Sequence, residues 1–327
     1  MSVLEALAGI LSNPNFYFTF LSTTVPILLP TLGCAIAENV GSTNMGQEGI
    51  MLLAAFFGVI ASAYTGNVWV GFLAAVAIGL LMGLAISYFA LYLQVDIILV
   101  GIAVNLVGSG LSAFLMYVFT GDRSATTSLQ SGTLPFIDLP GIKEIPYIGT
   151  ALSGQSVLAW VAYLLVPVLS FLLYKTRLGL RIRSVGENPH AAESVGVSVN
   201  KTKMYALVIS SVLGGIAGAY LSMSYLPYFS KGMSGGRGYI ALAATAMANN
   251  TPVGSLWTSL LFGFFYALST YSGALGVPAQ LVTTLPYLAT LVGLVVFAIR
   301  VQGKERRRRQ EGAHAAAEGD DGAARAA

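Results

Sequence analysis

The sequence predicts an all-α fold, a polytopic bundle of about eight or nine helices that crosses a lipid bilayer. Three observations predict it. Of the 327 residues, 55% are hydrophobic and 9% are charged, whereas a soluble domain carries about 25% charged residues. Nearly all the charges fall in a few short clusters. The stretches between those clusters have the ~20-residue length of a bilayer crossing and are apolar all round rather than striped. A mean hydropathy of +0.74 fits the same picture. A chain so poor in charge cannot cover a water-facing surface, so its outer surface faces lipid.

The elements follow in order. The first span is read at 17–37, and the polar, Gly-rich break Glu38 to Gly49 separates it from a second at 50–64. Gly66-Asn67 turns the chain into a third span at 68–93, and Gln94 and Asp96 mark the junction to a fourth at 97–119. Residues 120–153 form the longest hydrophilic connection, with Asp122, Arg123, Asp138, Lys143 and Glu144. A fifth span at 154–174, a charged segment at 175–203 and a sixth span at 204–225 come next. The Gly-rich link 230–238 leads into an apolar piece at 239–249, too short to cross alone at ~1.5 Å per residue. It is open to three readings: a broken crossing, a re-entrant segment or a buried packing helix. Spans at 253–273 and 278–300 complete the membrane domain, 1–303. The tail, 304–327, is basic, then acidic and Ala-rich, and reads as disordered.

Lysine and arginine set the expected orientation. Lys175, Arg177, Arg181, Arg183, Lys201 and Lys203 crowd one segment, and Arg300, Lys304 and Arg306 to Arg309 crowd the C-terminal end. Both belong on the cytoplasmic side, which requires an even number of crossings between them and makes the 239–249 piece one of those crossings. Counting back places the N-terminus outside. No basic region precedes the first apolar run, so no cleavable signal is read there. Cys34 is the only cysteine, which excludes an internal disulfide.

Enzyme classes find little support. His190 and His314 are the only histidines, no metal-ligand spacing is present, and no phosphate-binding Gly-x-x-x-x-Gly-Lys-Ser/Thr loop occurs. The chain is therefore expected to bind no cofactor, and ATP with Mg would sit on partner subunits. The arginines of the tail suit anionic lipid, and nothing calls for nucleic acid.

The 175–203 segment is longer than a topology signal needs. Asn188 is placed as an N-cap, Pro189 at the first helical position with Ala191 and Ala192 after it, and Gly196 at C-cap distance. That predicts a short surface helix at about 189–195, suited either to docking into another protein or to orienting the chain. Within the membrane, Asn44, Gln47 and Glu48 are candidates for lining a path or fixing an unwound segment, against the alternative of a surface loop. Gly101, Asn105, Gly108/Ser109 and Ser112 make one small, polar helix face that borders a pore or packs on a neighbour. Gly79-x-x-x-Gly83 and Gly214-x-x-x-Gly218 read as packing contacts. Arg237 is read as an external anchor or a partner for Glu48 or Asp96. Tyr225, Tyr228, Phe229 and Tyr239 are read as an interfacial aromatic belt or as stacking groups at an outer mouth.

The run Gly186-Glu187-Asn188-Pro189-His190-Ala191-Ala192, followed by Gly196-Val197-Ser198-Val199-Asn200, resembles the coupling segment of bacterial ABC importer permeases for ribose-type sugars and nucleosides. Asn44-Met45-Gly46-Gln47-Glu48-Gly49-Ile50-Met51-Leu52 resembles a signature of the simple-sugar and nucleoside branch, as do Asp96 with Gly101 and Asn105, and Gly235-Gly236-Arg237-Gly238-Tyr239-Ile240-Ala241-Leu242-Ala243. The likeness covers about 20–300 in consistent order. Met45, Gln47 and Asn39 depart from the usual residues of that branch. The resemblance implies a type II-like importer bundle lacking the first helix of a ten-helix pattern. It also implies ATPase subunits docking on Gly186, Glu187, Asn188, Pro189, Ala191, Ala192 and Gly196. A second related permease or a second copy, and an external substrate-binding lipoprotein, complete the implied assembly in a bacterial inner membrane. Asn44, Gln47, Glu48, Asn105, Ser109 and Tyr239 are the candidates for the translocation path. Nucleosides are the leading solute, with ribose-type sugars as the alternative. A stand-alone ion-coupled transporter is the reading from a different class.

Overall fold

The computed structural model describes residues 9–129, 131–138 and 148–271, together with 284, 287, 288, 290–293, 295 and 299. Among the described residues, seven helices are long and apolar enough to cross a membrane. The predicted last span, 278–300, lies partly outside the described residues, and its described members at 287, 288, 290–293, 295 and 299 are helical. The tail, 304–327, and Lys143 and Glu144 lie outside them.

Helix α1 (Pro14–Asn39) is the axis of the bundle. Asn13 caps it through the Asn15 amide, Pro14 opens it, and every residue from Ser22 to Ala37 is buried. Two prolines sit inside it. Pro26 has no N–H to give the Ser22 carbonyl, and the Tyr220 hydroxyl donates to that carbonyl at 3.0 Å instead. A helix apolar all round is thus enclosed by protein, while the helices around it face lipid.

Helices α2 (Gln47–Thr65), α3 (Val68–Ser87) and α4 (Ile97–Thr120) follow, with a π-helical turn, Tyr88–Tyr92, closing α3. Asp96 caps α4 by accepting from the Ile98 amide at 2.7 Å, so this carboxylate terminates a helix rather than pairing with Arg237. A two-stranded ribbon, β1 (Phe136–Ile137) with β2 (Gln155–Ser156), brackets the short α5 (Ile148–Leu152). Helix α6 (Val157–Lys175) then crosses, and α7 (Arg177–Glu187) and α8 (Pro189–Ser194) form an elbow. Helix α9 (Val199–Tyr220) ends in a second π-helical turn, Leu221–Tyr225. Helices α10 (Arg237–Met247) and α11 (Pro252–Thr270) come last.

Two helices begin inside the bundle. After Asn39 the chain turns back on itself, and Asn44 lies against Ser210 and Ser211, halfway along α9. The polar break is therefore a re-entrant segment, and α2 starts at mid-depth with Gln47 and Glu48 in its first turn. Helix α10 has 11 residues, about half a bilayer at ~1.5 Å each. Its C-terminal turn meets the end of α1, where Asn39 Nδ2 donates to the Asn250 carbonyl at 2.6 Å. The preceding π turn lies at the opposite end of α1, so residues 226–250 traverse the bundle as a link followed by a half-helix. That is the broken-crossing form of the 239–249 piece.

Glycine permits the close packing around these breaks. A Cβ on Gly79 would stand 2.7 Å from the Ser211 carbonyl, and one on Gly214 or Gly218 would overlap Gln47 or Met51 of α2. A Cβ on Gly108 of α4 would overlap Gly49, whereas Gly110, two residues on, has nothing within 4 Å. Gly108→Leu should therefore destabilise the bundle by about 1–3 kcal/mol through overpacking. Gly110→Ala should leave the thermal midpoint of the purified protein in detergent within error of wild type. Equal shifts in the two variants would contradict the packing described.

Candidate functional site

The interior junction is built from the candidates at 44–48. Asn44 is 1% exposed. Its Nδ2 donates to Ser210 Oγ and Ser211 Oγ at 3.1 and 3.0 Å, and its Oδ1 accepts from the Gly46 amide. Gln47 Nε2 donates to the Ser210 carbonyl and Oγ at 3.1 and 2.8 Å. Asn105 of α4 accepts from the Gly49 amide and donates to the Met45 carbonyl, both at 2.8 Å. The Asn44 and Asn105 side-chain amides thus satisfy backbone groups at the re-entrant segment and the start of α2, and Gln47 ties that start to α9.

Glu48 meets the second broken helix. Its Oε1 accepts from Ser234 Oγ at 2.5 Å and from the Gly236 amide at 2.8 Å, and its Oε2 accepts from the Gly238 amide at 2.8 Å. The carboxylate therefore sits at the N-termini of two helices, its own α2 and the incoming α10, where both macrodipoles favour an anion. Gly235 and Gly236 hold left-handed φ of +54° and +75°, and a Cβ on Gly238 would come within 2.5 Å of the Glu48 amide nitrogen. The Gly-Gly-Arg-Gly run is what allows this approach.

Arg237 is buried rather than an outer anchor. Its Nη1 donates to the Met233 and Ser234 carbonyls at 3.1 Å, and its guanidinium lies 4.7 Å from the Tyr266 ring centre. Tyr266 and Tyr287 both donate to the Gly235 carbonyl, at 3.1 and 2.8 Å. The link is thereby tied to α11 and to the helical residues near 287.

The structure brings Asn44, Gln47, Glu48 and Asn105 together. It does not bring Ser109 or Tyr239 to them: Ser109 is exposed and bonds back to the Leu106 carbonyl, and Tyr239 is 52% exposed on α10. The buried stripe of α4 runs through Gly101, Asn105, Gly108 and Ser112. Phe229, expected in an aromatic belt, is fully buried at 5.5 Å from the Phe56 ring, because its segment tucks beneath the loop at Thr126. Ser210, Ser211, Ser234 and Tyr266 were not singled out by sequence. The Ser-Ser pair inside an apolar span was the visible signal for the first two.

The second region is the elbow. Thr176 caps α7 through the Gly179 amide. Asn188 ends α7 and caps α8 by accepting from the Ala191 amide at 3.1 Å, Pro189 opens α8, and Gly196 follows it with φ +83°. Helix α7, which the sequence reading treated as part of a charged approach, buries Gly179, Ile182 and Val185. A Cβ on Gly179 would overlap the Leu172 carbonyl, and one on Gly186 the Asn39 carbonyl. The elbow is therefore pressed onto α6 and the end of α1. Ala192 is buried against this base, and Pro189 is half-buried. Glu187, Asn188, Ala191 and Gly196 face outward, and Gly186 is exposed on the side away from Asn39. Leu180 and Val195, 61% and 78% exposed, add apolar surface that the sequence reading did not single out.

The family described as the permease component of branched-chain amino acid transport systems matches residues 16–299. The chain belongs to this permease family. A nucleoside ABC transporter permease of Lactococcus lactis is 32% identical over 308 residues, covering 91% of this chain and 94% of that one. A Haloferax volcanii permease named for glucose is 31% identical, covering 84% and 89%. A guanosine ABC transporter permease of Bacillus subtilis is 31% identical, covering 83% and 88%. The Lactococcus and Bacillus strains each hold a second similar permease that carries the same solute in its name. This permease is accordingly an integral, multi-pass membrane protein with a transport role.

Removing the Glu48 carboxylate strands three part-buried donors, for each of which the cost of a fully buried unsatisfied donor, about 1–3 kcal/mol, is the upper bound. Glu48→Ala should lower the thermal midpoint and speed amide exchange at 234–238, measured by hydrogen exchange with mass spectrometry. Exchange there unchanged from wild type would contradict the role assigned to Glu48.

Proposed function

We propose that this permease forms half of the transmembrane path of an ATP-driven importer of nucleosides, and that ATPase subunits drive it through the α7–α8 elbow. The observation that carries the reading is the elbow itself. It is folded rigidly onto α1 and α6, yet presents Glu187, Asn188, Ala191 and Val195 outward with apolar and charged groups mixed. Such a patch suits a protein cleft better than free water. The lysines and arginines on and around it favour a cytoplasmic elbow and an external start of α1. ATP and Mg belong to the partner ATPase.

The other half is a second related permease, in keeping with the paired relatives of Lactococcus lactis and Bacillus subtilis. An external lipoprotein delivers the solute. The names of two relatives favour nucleosides, and the Haloferax relative keeps simple sugars as the alternative. An ion-coupled transporter needs a carboxylate free to take up a cation, and Glu48 is committed to three donors.

In the complete complex reconstituted in liposomes, Glu187→Arg should reduce solute-stimulated ATP hydrolysis to the basal rate while the permease remains folded and membrane-inserted. Stimulation at the wild-type level would overturn the assignment of the elbow.

A further inference from the structure

A second polar site lies at the end of the bundle opposite the elbow. There the start of α1, strand β2, the π turn after α9 and the end of α11 enclose a cavity of about 270 Å³, just under the roughly 300 Å³ at which small-molecule pockets begin. It is lined by aromatic rings of Phe18, Phe136 and Tyr225 and by polar groups of Gln155, Tyr220 and Ser224. Among the described residues, no carboxylate, lysine, arginine or histidine lines it.

Its hydrogen-bonding capacity is only partly used. Ser156 and Ser224 share one hydrogen bond at 2.8 Å, and Ser156 also accepts from the Leu158 amide. Two hydroxyls joined by one bond leave one hydroxyl hydrogen over, whichever way the pair is oriented. The Gln155 amide donates both hydrogens, to the Phe18 and Ala151 carbonyls, which fixes its oxygen toward Ser22 with one lone pair unspent. Tyr220 donates to the Ser22 carbonyl, and its own oxygen remains an acceptor. Tyr225 adds a hydroxyl, and Thr19 and Thr270 add hydroxyl oxygens, so the cavity offers donors, acceptors and the rings of Phe18, Phe136, Tyr220 and Tyr225 and, among the described residues, no charge. The π turn Leu221–Tyr225 brings Ser224 and Tyr225 into the lining.

We infer that this cavity is a peripheral binding site for a neutral, hydroxylated ligand with a flat ring, a nucleoside, separate from the junction at Glu48. The inference rests on the transport reading above, which puts this end of the bundle outside. The rings suit a base and the unspent donor and acceptors suit ribose hydroxyls and base amides. A free sugar uses the polar groups and leaves the rings without a stacking partner.

The test places a local reporter at the rim. In the full-length permease in lipid nanodiscs, Phe136→Trp should show tryptophan emission that guanosine quenches saturably, relative to the same titration of wild type. Ribose at equal concentration should not compete. Adding Ser224→Ala, a change of one oxygen, should weaken the half-saturation at least several-fold, and Tyr225→Leu should do the same. Absence of a saturable quench, competition by ribose, or full retention in both double variants would overturn the site. Solute-stimulated ATP hydrolysis by the full complex is measured in parallel. Stimulation by guanosine without a quench removes the peripheral site and leaves the transport reading standing; no stimulation by any nucleoside overturns the reading on which the site rests.

Discussion

A carboxylate at the meeting point of two helix N-termini, deep in a membrane bundle, is the constraint on which the interior of this protein depends. Placing an Asp at the centre of a membrane helix costs about 2.5–3.5 kcal/mol on the insertion scale, and Glu48 faces a comparable penalty. Hydrogen bonds to a charged group return about 1.5–3 kcal/mol each, and Glu48 makes three of them. The Gly236 and Gly238 amides and the Ser234 hydroxyl converge on it and engage both carboxylate oxygens. Loss of that convergence would leave α10 with an uncapped N-terminus away from water. The irregular backbone at 40–46 and 226–236 is tolerated at membrane depth on the same terms, with Asn44 and Asn105 serving the first segment and Glu48, Tyr266 and Tyr287 the second.

The junction is also in physical continuity with the elbow. Helix α10 runs from Glu48 to Asn250, whose carbonyl accepts from Asn39. Asn39 ends α1, and its own carbonyl is the atom that a Cβ on Gly186 would overlap. One half-helix and one side-chain bond therefore separate the interior carboxylate from the surface proposed to meet the ATPase. Gly186 leaves no room for a side chain between the elbow and the end of α1.

Much of this was legible in the sequence. The spans were, because apolar runs of bilayer length have few other uses. The α8 helix was, because Asn188, Pro189 and Gly196 each carry a positional preference that acts locally. What the sequence hid was depth. Residues 38–49 are open to a surface loop or an unwound segment within the membrane, and nothing local shows that Asn44 meets Ser210 rather than water. Arg237 is open to an external anchor or a partner for Glu48 or Asp96, whereas backbone carbonyls and the Tyr266 ring accommodate it inside. Ser109 and Gly108 were equivalent on a helical wheel, and only the approach of Gly49 decided that Gly108 faces inward. The placements of Asn44 and Gly108 depend on residues more than fifty positions away.

The most direct test of the account is solute uptake in proteoliposomes with the components added in turn. The account predicts that radiolabelled guanosine accumulates only when this permease, its partner permease, the ATPase, internal ATP and the external binding protein are all present, with no response to an imposed proton or sodium gradient. Uptake by this chain alone under an ion gradient, without ATP, would contradict it.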